Sequence, residues 1–218
     1  MIRVENVDVW GFDHAVRGMR NPMNSWDKSD SYWTIKEDES PINPDDEVFF
    51  EVGKNDLKLM QKLYNGGSEH RKYLRQIFVS MDIVAPLYWW KEFDTYKVGT
   101  VANSCSTMHK IQAKEFELAD FSYEHLVEMA RCCLVCTIEN LNWYRHKFLE
   151  TKDKENWWQM IQLLPSSYNQ RRTITMDYEN VVTMIKQRTG HKLDEWNNFV
   201  TRLKDLPYIE EIMENQSE

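Results

Sequence analysis

The segment from Lys97 to His109 holds the densest set of side chains suited to bind a ligand. It combines hydroxyls, an amide, a glycine and flanking cations, with little charge in between. Short donors of this kind suit the oxygens of phosphates and sugars. An ordinary polar loop has the same composition, so both interpretations stay open at this point. The residues of the segment that could grip phosphate and sugar oxygens are Lys97, Thr100, Asn103, Ser104 and Ser106.

A second group of cations follows later in the chain, at Gln170-Arg171-Arg172 and again at Arg188 and His191. Arg188 comes just before Gly190, where a predicted helix ends. A cation at that place can complement the helix dipole. It can equally present its forked donors to a carbonyl or a phosphate.

The four cysteines are Cys105, Cys132, Cys133 and Cys136. A metal site completed by His125 or His146 is one interpretation, but zinc ligands usually come as separated pairs from loops. Cysteine is also among the residues most often buried. We therefore expect reduced thiols in the core face of a helix and no metal site. Motifs of catalytic triads and Gly-rich phosphate loops are absent from the sequence.

The elements that would position these residues follow from apolar periodicity and from helix-ending signals. The predicted strands are Val4 to Phe12, Arg75 to Val84 and Thr173 to Met176. The predicted helices are a short one capped by Asp13, then Asp56 to Tyr64, one beginning at Pro86, Ser122 to Phe148, Asn156 to Leu163, Tyr178 to Arg188 capped by Asp177, and Asp194 to Leu206. The acidic stretch 34–46 is predicted to be an exposed loop, and the tail after Tyr208 to be frayed.

Composition limits the class of protein. The chain has 218 residues, which fits one large domain or two small ones, and we expect one α+β domain over residues 1–218. Its net charge is −8 and its pI is near 5.3. The acidic balance argues against broad binding to nucleic acid or to a membrane surface, but not against a small anionic ligand. No apolar run has the length of a signal peptide or a membrane span. We expect a cytoplasmic protein.

Two stretches together resemble the flavin-dependent thymidylate synthase family. The first runs from Ile83 through Ala85-Pro86 to Met108, where the family has a strand, a turn, a helix and the signature Arg-His-Arg-x-x-Ser-x-Asn-Glu-x-Ser-x-Arg-Tyr. The second runs from Leu164-Pro165 to Arg188, where the family has a Leu-Pro turn, a strand and a helix ending in Leu-x-Leu-Arg. The resemblance extends from about Asp56 to Trp196.

The chain departs from the family at charged positions. The Arg-His-Arg triplet falls on Thr95-Tyr96-Lys97, a substrate-binding Arg is replaced by Ile161, and the flavin-holding Asn and Arg become Asp177 and Glu179. Flavin adenine dinucleotide (FAD) carries a diphosphate that the family neutralises with paired arginines. Each lost charge-assisted contact costs about 1.5–3 kcal/mol, so we expect the flavin pocket to be much weakened.

The resemblance implies an α+β fold like that of thymidylate-synthase-complementing proteins, with an antiparallel sheet flanked by long helices. It implies reductive methylation, or a related C5 modification, of a uracil nucleotide, with Arg188 polarising a uracil carbonyl. FAD, reduced nicotinamide and methylenetetrahydrofolate would then take part, and the protein would be a homotetramer. Non-catalytic binding or sequestering of a nucleotide is the alternative, and a purely structural assembly role is the third. Arg171 would join the nucleotide-binding residues, and the cofactor-binding residues would be His70, Arg75, Gln76 and His191.

Overall fold

The computed structural model describes residues 2–35 and 48–214, and this part of the chain is α+β. The strands are β1 (Arg3–Trp10), β2 (Tyr32–Ile35), β3 (Val48–Glu51), β4 (Phe78–Pro86), β5 (Thr100–Ser104) and β6 (Asn169–Asp177). The helices are α1 (Phe12–Arg20), α2 (Lys54–Asn65), α3 (Leu87–Phe93), α4 (Glu128–Thr151), α5 (Lys154–Leu163), α6 (Tyr178–Arg188), α7 (Asp194–Lys204) and α8 (Ile209–Met213). One sheet has the strand order β1-β4-β6-β5, and β2 pairs antiparallel with β3. The predicted fold class is confirmed.

The chain divides into two compact units, each made of separate stretches of sequence. Unit 1 comprises Met1–Asn6, Met81–Ile174 and Gly190–Phe199. Unit 2 comprises Val7–Ser80, Thr175–Thr189 and Val200–Glu218. The expectation of one domain over residues 1–218 stays a prediction. Across the part of the chain that the structure describes, no helix combines the length and the apolar character that crossing a lipid bilayer requires.

Unit 1 has two apolar clusters. The first is aromatic: the ring of Trp89, on α3, lies 4.8 Å from that of Trp196 and 5.3 Å from that of Phe199, both on α7. These rings are almost fully buried, which fixes α3 against α7. The second cluster joins α4 and α5 to the loop before them, and its buried members are Ile111, Phe116, Phe121, Leu134, Ile138, Leu141 and Met160.

Unit 2 is held by aromatic contacts and by a tight approach of the backbone. The ring of Phe12 makes edge contacts with Tyr178 and Tyr208, at centroid distances of 5.6 and 5.2 Å. Gly11, which precedes α1, has φ +96°, and a Cβ there would lie 2.2 Å from the carbonyl oxygen of Gln76. Only glycine fits such a place, so α1 begins at a glycine turn.

Most predicted elements are confirmed within a few residues, and the helix cap at Asp177 is correct: its carboxylate accepts a hydrogen bond from Asn180 N. Asp13 is not the cap of α1, because the helix begins one residue before it. The predicted strand start at Arg75 is wrong, since residues Arg71–Gln76 form a 3-10 turn and β4 begins at Phe78. The tail after Tyr208 is predicted to be frayed, but residues Ile209–Met213 form helix α8, in which Ile209 and Ile212 are buried.

Helix α4 differs from its prediction in start and in buried face. It begins after Val127 rather than at Ser122, whose hydroxyl instead donates to Asn169 Oδ1 at 2.9 Å. Cys132, Cys133 and Cys136 are exposed, so the prediction of core thiols is wrong. The residues of α4 that are buried in this chain are Leu134, Ile138 and Leu141. Their spacing of four and three residues defines a face that the cysteines do not share.

The strands β2 and β3 and the strand β5 are not predicted by the sequence patterns. Of the acidic loop predicted at 34–46, Thr34 and Ile35 belong to β2, and residues 36–46 lie outside the described residues.

A buried ion pair anchors unit 2. Arg20 Nε, at the end of α1, donates to Asp56 Oδ1 of α2 at 2.6 Å, and both side chains are inaccessible to water. The other oxygen of Asp56 accepts from the hydroxyls of Ser29 and Ser31, each at 2.7 Å. Burial raises the pKa of Asp56, but the hydrogen bonds from Ser29, Ser31 and Arg20 together outweigh it and leave the pKa lowered.

We predict that Asp56→Asn lowers the free energy of unfolding by about 3–5 kcal/mol, because it leaves the Arg20 guanidinium buried without its counter-charge. The folded-state pKa of Asp56 lies below its unfolded value. The stabilisation by Asp56 is therefore fully present at pH values above its unfolded-state pKa, and it is lost as the pH falls through its folded-state pKa. The difference between wild type and variant should shrink below about pH 4.

Urea unfolding measured at several pH values checks this prediction. Asp27→Asn, a change of the same kind at an exposed position nearby, is the matched control and should leave stability within about 0.5 kcal/mol. A loss of less than about 1 kcal/mol in Asp56→Asn at neutral pH would contradict the assigned role.

Candidate functional site

The segment from Lys97 to His109 forms a strand and a turn in unit 1. Strand β5 lies at one edge of the four-stranded sheet, next to β6. Immediately after it, Cys105 N donates to Arg171 O of β6 at 2.9 Å. The hydroxyl oxygen of Ser106 then accepts from Met108 N and His109 N, at 3.2 and 2.9 Å. These bonds fix the turn, so the segment is ordered rather than an open loop.

Gln170, the second residue of β6, joins this turn to the strand. Its buried amide Nε2 donates to Cys105 O at 2.8 Å, and its Oε1 accepts from Arg172 Nε at 3.0 Å. The Gln170 carbonyl accepts from Trp90 Nε1 at 3.0 Å. The guanidinium of Arg172 also lies over the Trp90 ring at 4.3 Å and binds Asp94 at 2.7 Å. Gln170 thus links the turn to β6 through its side-chain amide, and β6 to α3 through its backbone carbonyl.

A cavity of about 510 Å³ opens between this turn and the start of β6. Its size is within the range of small-molecule sites. The lining combines four kinds of group: the cations Lys110, Lys114 and Arg171, the carboxylates Glu115 and Asp120, the hydroxyls of Ser106 and Thr107, and the rings of Phe116 and Tyr168. Cations and hydroxyls bind an anion, while rings offer faces on which a flat heterocycle can stack.

The cations of the cavity are held to different degrees. Arg171 Nη2 lies 2.6 Å from Asp82 Oδ2 and its Nη1 lies 3.4 Å from Glu5 Oε2, so its position is fixed. Lys114 Nζ lies 2.8 Å from Asp120, which also lines the cavity. Lys110 is exposed, and no ion pair joins it to another described residue. Arg171 and Lys114 are thus paired with carboxylates, and Lys110 is the cation most available to a ligand.

Hydrogen bonds also lower the pKa of Asp82, the residue whose carboxylate holds Arg171 in place. Asp82 accepts from Thr173, from Arg171 and from Asn6, and these donors hold the pKa of Asp82 well below its usual range. These hydrogen bonds favour the ionised carboxylate, which orients the Arg171 guanidinium.

Two of the six predicted nucleotide-binding residues line this cavity, Ser106 and Arg171. Lys97 and, on β5, Asn103 and Ser104 are exposed outside it, and the hydroxyl of Thr100 is buried with no hydrogen-bond partner in the described residues. The cavity also contains two lysines that are not among the predicted binding residues, Lys110, a cation that flanks the polar segment, and Lys114. Their spacing of four residues just after the polar segment was the available signal.

The predicted cofactor residues of unit 2 lie on or beside the 3-10 turn Arg71–Gln76. Arg75 Nε pairs with Glu179 Oε2 at 2.9 Å, so its charge is already balanced. The amide of Gln76 packs on Gly18, where a Cβ would lie 2.4 Å from Oε1, and His70 packs against Gly66. Arg188, the predicted catalytic residue, is the last residue of α6 and is half-buried.

His191, the fourth predicted cofactor residue, belongs to unit 1. Its Nδ1 accepts from Leu193 N at 3.1 Å, and its Nε2 lies 3.5 Å from Glu92 Oε2. Its carbonyl accepts from Asn197 at 2.7 Å. These contacts give the ring a local structural role at the start of α7.

The residues at the predicted cofactor positions do not fit the diphosphate of FAD. A diphosphate requires several available cations or backbone donors. Arg75 is neutralised by Glu179, and the Asp177 carboxylate adds negative charge in the same unit while it caps α6. We therefore derive no reaction step through a flavin. Among the described residues, no group of three or more His, Cys, Asp or Glu is arranged to hold a metal ion.

Comparison with known proteins bears on the fold. Neither a protein-family model nor a curated protein sequence matches the chain. Two solved structures of flavin-dependent thymidylate synthase ThyX from Helicobacter pylori, both with FAD and dUMP, are similar to it at 16% identity. One aligns with a TM-score of 0.64 over 93% of this chain and 92% of that one, the other with 0.66 over 98% and 100%. The chain therefore has the fold of flavin-dependent thymidylate synthases, as its sequence resemblance indicated.

Proposed function

We propose that this protein binds a uracil nucleotide in the cavity of unit 1. The observation that carries the proposal is the convergence of Lys110, Lys114 and Arg171 with two hydroxyls and two rings in one cavity of suitable size. The phosphate would lie among the cations, and the base would pack against Tyr168, which is less buried than Phe116. The fold adds support, since the similar ThyX structures hold dUMP.

The same proposal explains how an acidic chain accepts an anion. The net charge of −8 repels anions at long range, but screening limits that effect to about 8–10 Å at physiological salt. Within the cavity, local donors decide the binding. Arg171 is held in place by Asp82, so little side-chain entropy is lost when it binds.

We predict that dUMP binds saturably, and that Lys110→Ala and Lys114→Ala each weaken binding at least about tenfold, because each removes a charge-assisted contact worth about 1.5–3 kcal/mol. Isothermal titration calorimetry measures both effects. Lys91→Ala, an exposed lysine of α3 outside the cavity, is the matched control and should bind like wild type.

Uridine, which lacks the phosphate, should bind far more weakly than dUMP if the cations hold that group. No saturable binding of dUMP, or equal affinities for all three lysine variants, would overturn the proposed site.

A second function, flavin-dependent methylation of the nucleotide, is favoured by one observation. The similar structures contain both FAD and dUMP. Arg188 would then polarise the uracil carbonyl, with reduced nicotinamide and methylenetetrahydrofolate as co-substrates. At the predicted flavin positions, however, Arg75 is paired with Glu179 and Asp177 adds a carboxylate. These charges favour nucleotide binding without flavin-dependent methylation.

The visible absorbance spectrum of the freshly purified protein separates the two functions. Because the cations that would hold the flavin diphosphate in the family are replaced in this chain, we predict a colourless protein that gains no flavin bands on titration with FAD. A yellow protein, or conversion of dUMP to thymidylate with the full set of co-substrates, would establish the enzymatic function instead.

We also propose that the protein is a homo-oligomer, a tetramer by resemblance, that assembles through α4 and α5. Large apolar side chains on these helices face water in the single chain: Met129 is 76% exposed and Trp143 55%, and Trp158 is also exposed. Exposed apolar surface of this kind is typical of an interface. The four free cysteines favour a reducing compartment such as the cytoplasm.

Light scattering after size-exclusion chromatography tests the assembly. We predict that the double variant Met129→Glu and Trp143→Glu lowers the molar mass, because charge at an apolar contact is costly. The control Lys91→Glu, on α3, should keep the wild-type mass. A wild type that runs as a monomer would contradict the proposal.

A further inference from the structure

Unit 2 contains a second cavity, of about 660 Å³, that shares no residue with the site in unit 1. It is bounded by the end of β1 and the start of α1, by the hairpin β2–β3, and by the turn before α8. Neither the proposed nucleotide binding nor the assembly uses any of these residues.

The walls of this cavity are aromatic. Rings come from each bounding element, and two pairs are packed edge to face at 5.2 Å, Trp33 with Phe50 and Phe12 with Tyr208. Trp33 remains 58% exposed and Trp10 44%, although both are large apolar side chains. Trp10 stacks on Phe78 at 6.0 Å, and both tryptophans keep a large exposed area that a ligand can cover.

The charged groups of the cavity are almost all carboxylates. Asp8, Asp13, Glu51 and Glu211 line it, and among the described residues of the lining His14 is the single basic one, with no Lys or Arg. The ring faces are also negative, because aromatic quadrupoles carry electron density above the plane. The cavity is thus a preformed environment for positive charge.

The combination of rings and carboxylates selects among ligands. An anion is repelled, and a bare metal ion gains nothing from the rings. A single quaternary ammonium would stack on a ring but donates no hydrogen bond to a carboxylate. A chain of methylene groups with several ammonium groups uses both features, because its stem packs on the rings and its ends donate to carboxylates.

We propose that this cavity binds a linear polyamine. The volume is sufficient for such a chain, and the four carboxylates come from different elements, so they can meet ammonium groups that are several bonds apart. Trp10 and Trp33 would cover the methylene stem and contribute cation–π attraction.

Titration of the full-length protein with spermidine tests the proposal, with calorimetry and tryptophan fluorescence as readouts at about 0.15 M salt, where diffuse attraction to an acidic protein is screened. Saturable binding at one site per chain is expected. Trp33→Leu and Glu211→Gln should each weaken it by about tenfold. Both positions are exposed, so the variants should fold, and circular dichroism confirms it.

Matched controls lie in the same unit outside the cavity. Trp26→Leu and Asp27→Asn change an exposed tryptophan and an exposed carboxylate and should leave the affinity unchanged. Three results would each overturn the proposal: no saturable binding of spermidine, equal loss in the control variants, or tighter binding of choline or Mg²⁺ than of spermidine.

Discussion

The buried amide of Gln170 is the contact on which the candidate site depends. It holds the carbonyl of Cys105 at the end of β5, orients Arg172 on the Trp90 ring, and belongs to a strand whose backbone accepts the Trp90 indole. A buried amide left without partners costs about 1–3 kcal/mol, so the two side-chain bonds of Gln170 favour the arrangement in which the turn is attached to β6. The turn that follows β5 is thereby fixed to a rigid sheet, as a binding site requires.

The charge at each cavity depends on which side chains are brought together there and not on the net charge of the chain. The structure concentrates cations at the cavity of unit 1 and carboxylates at the aromatic cavity of unit 2, although the whole chain is acidic. In both cavities, neighbouring side chains hold the groups that would contact a ligand in place. Asp82 fixes Arg171, and ring packing fixes Trp33 against Phe50. Preorganised groups of this kind lose little entropy on binding.

Local signals in the sequence predicted the elements with regular caps and periodicity. Asp177 before α6 is such a case, because an N-cap needs only its neighbours in sequence. Strand β5 was missed because an exposed edge strand can be polar along its whole length. The apolar character and spacing of the α4 cysteines predict a place in the core beside Leu134 and Leu141, but tertiary packing buries Leu134, Ile138 and Leu141 and leaves the cysteines exposed. The partners of Arg171 and Gln170 are distant in sequence, so no local pattern could reveal them.

The most direct test of the account is a crystal structure of the protein soaked with dUMP. The account predicts that the phosphate lies within hydrogen-bond reach of Arg171 and of at least one of Lys110 and Lys114, with the base against Tyr168. A nucleotide bound elsewhere, with this cavity left to solvent, would contradict it.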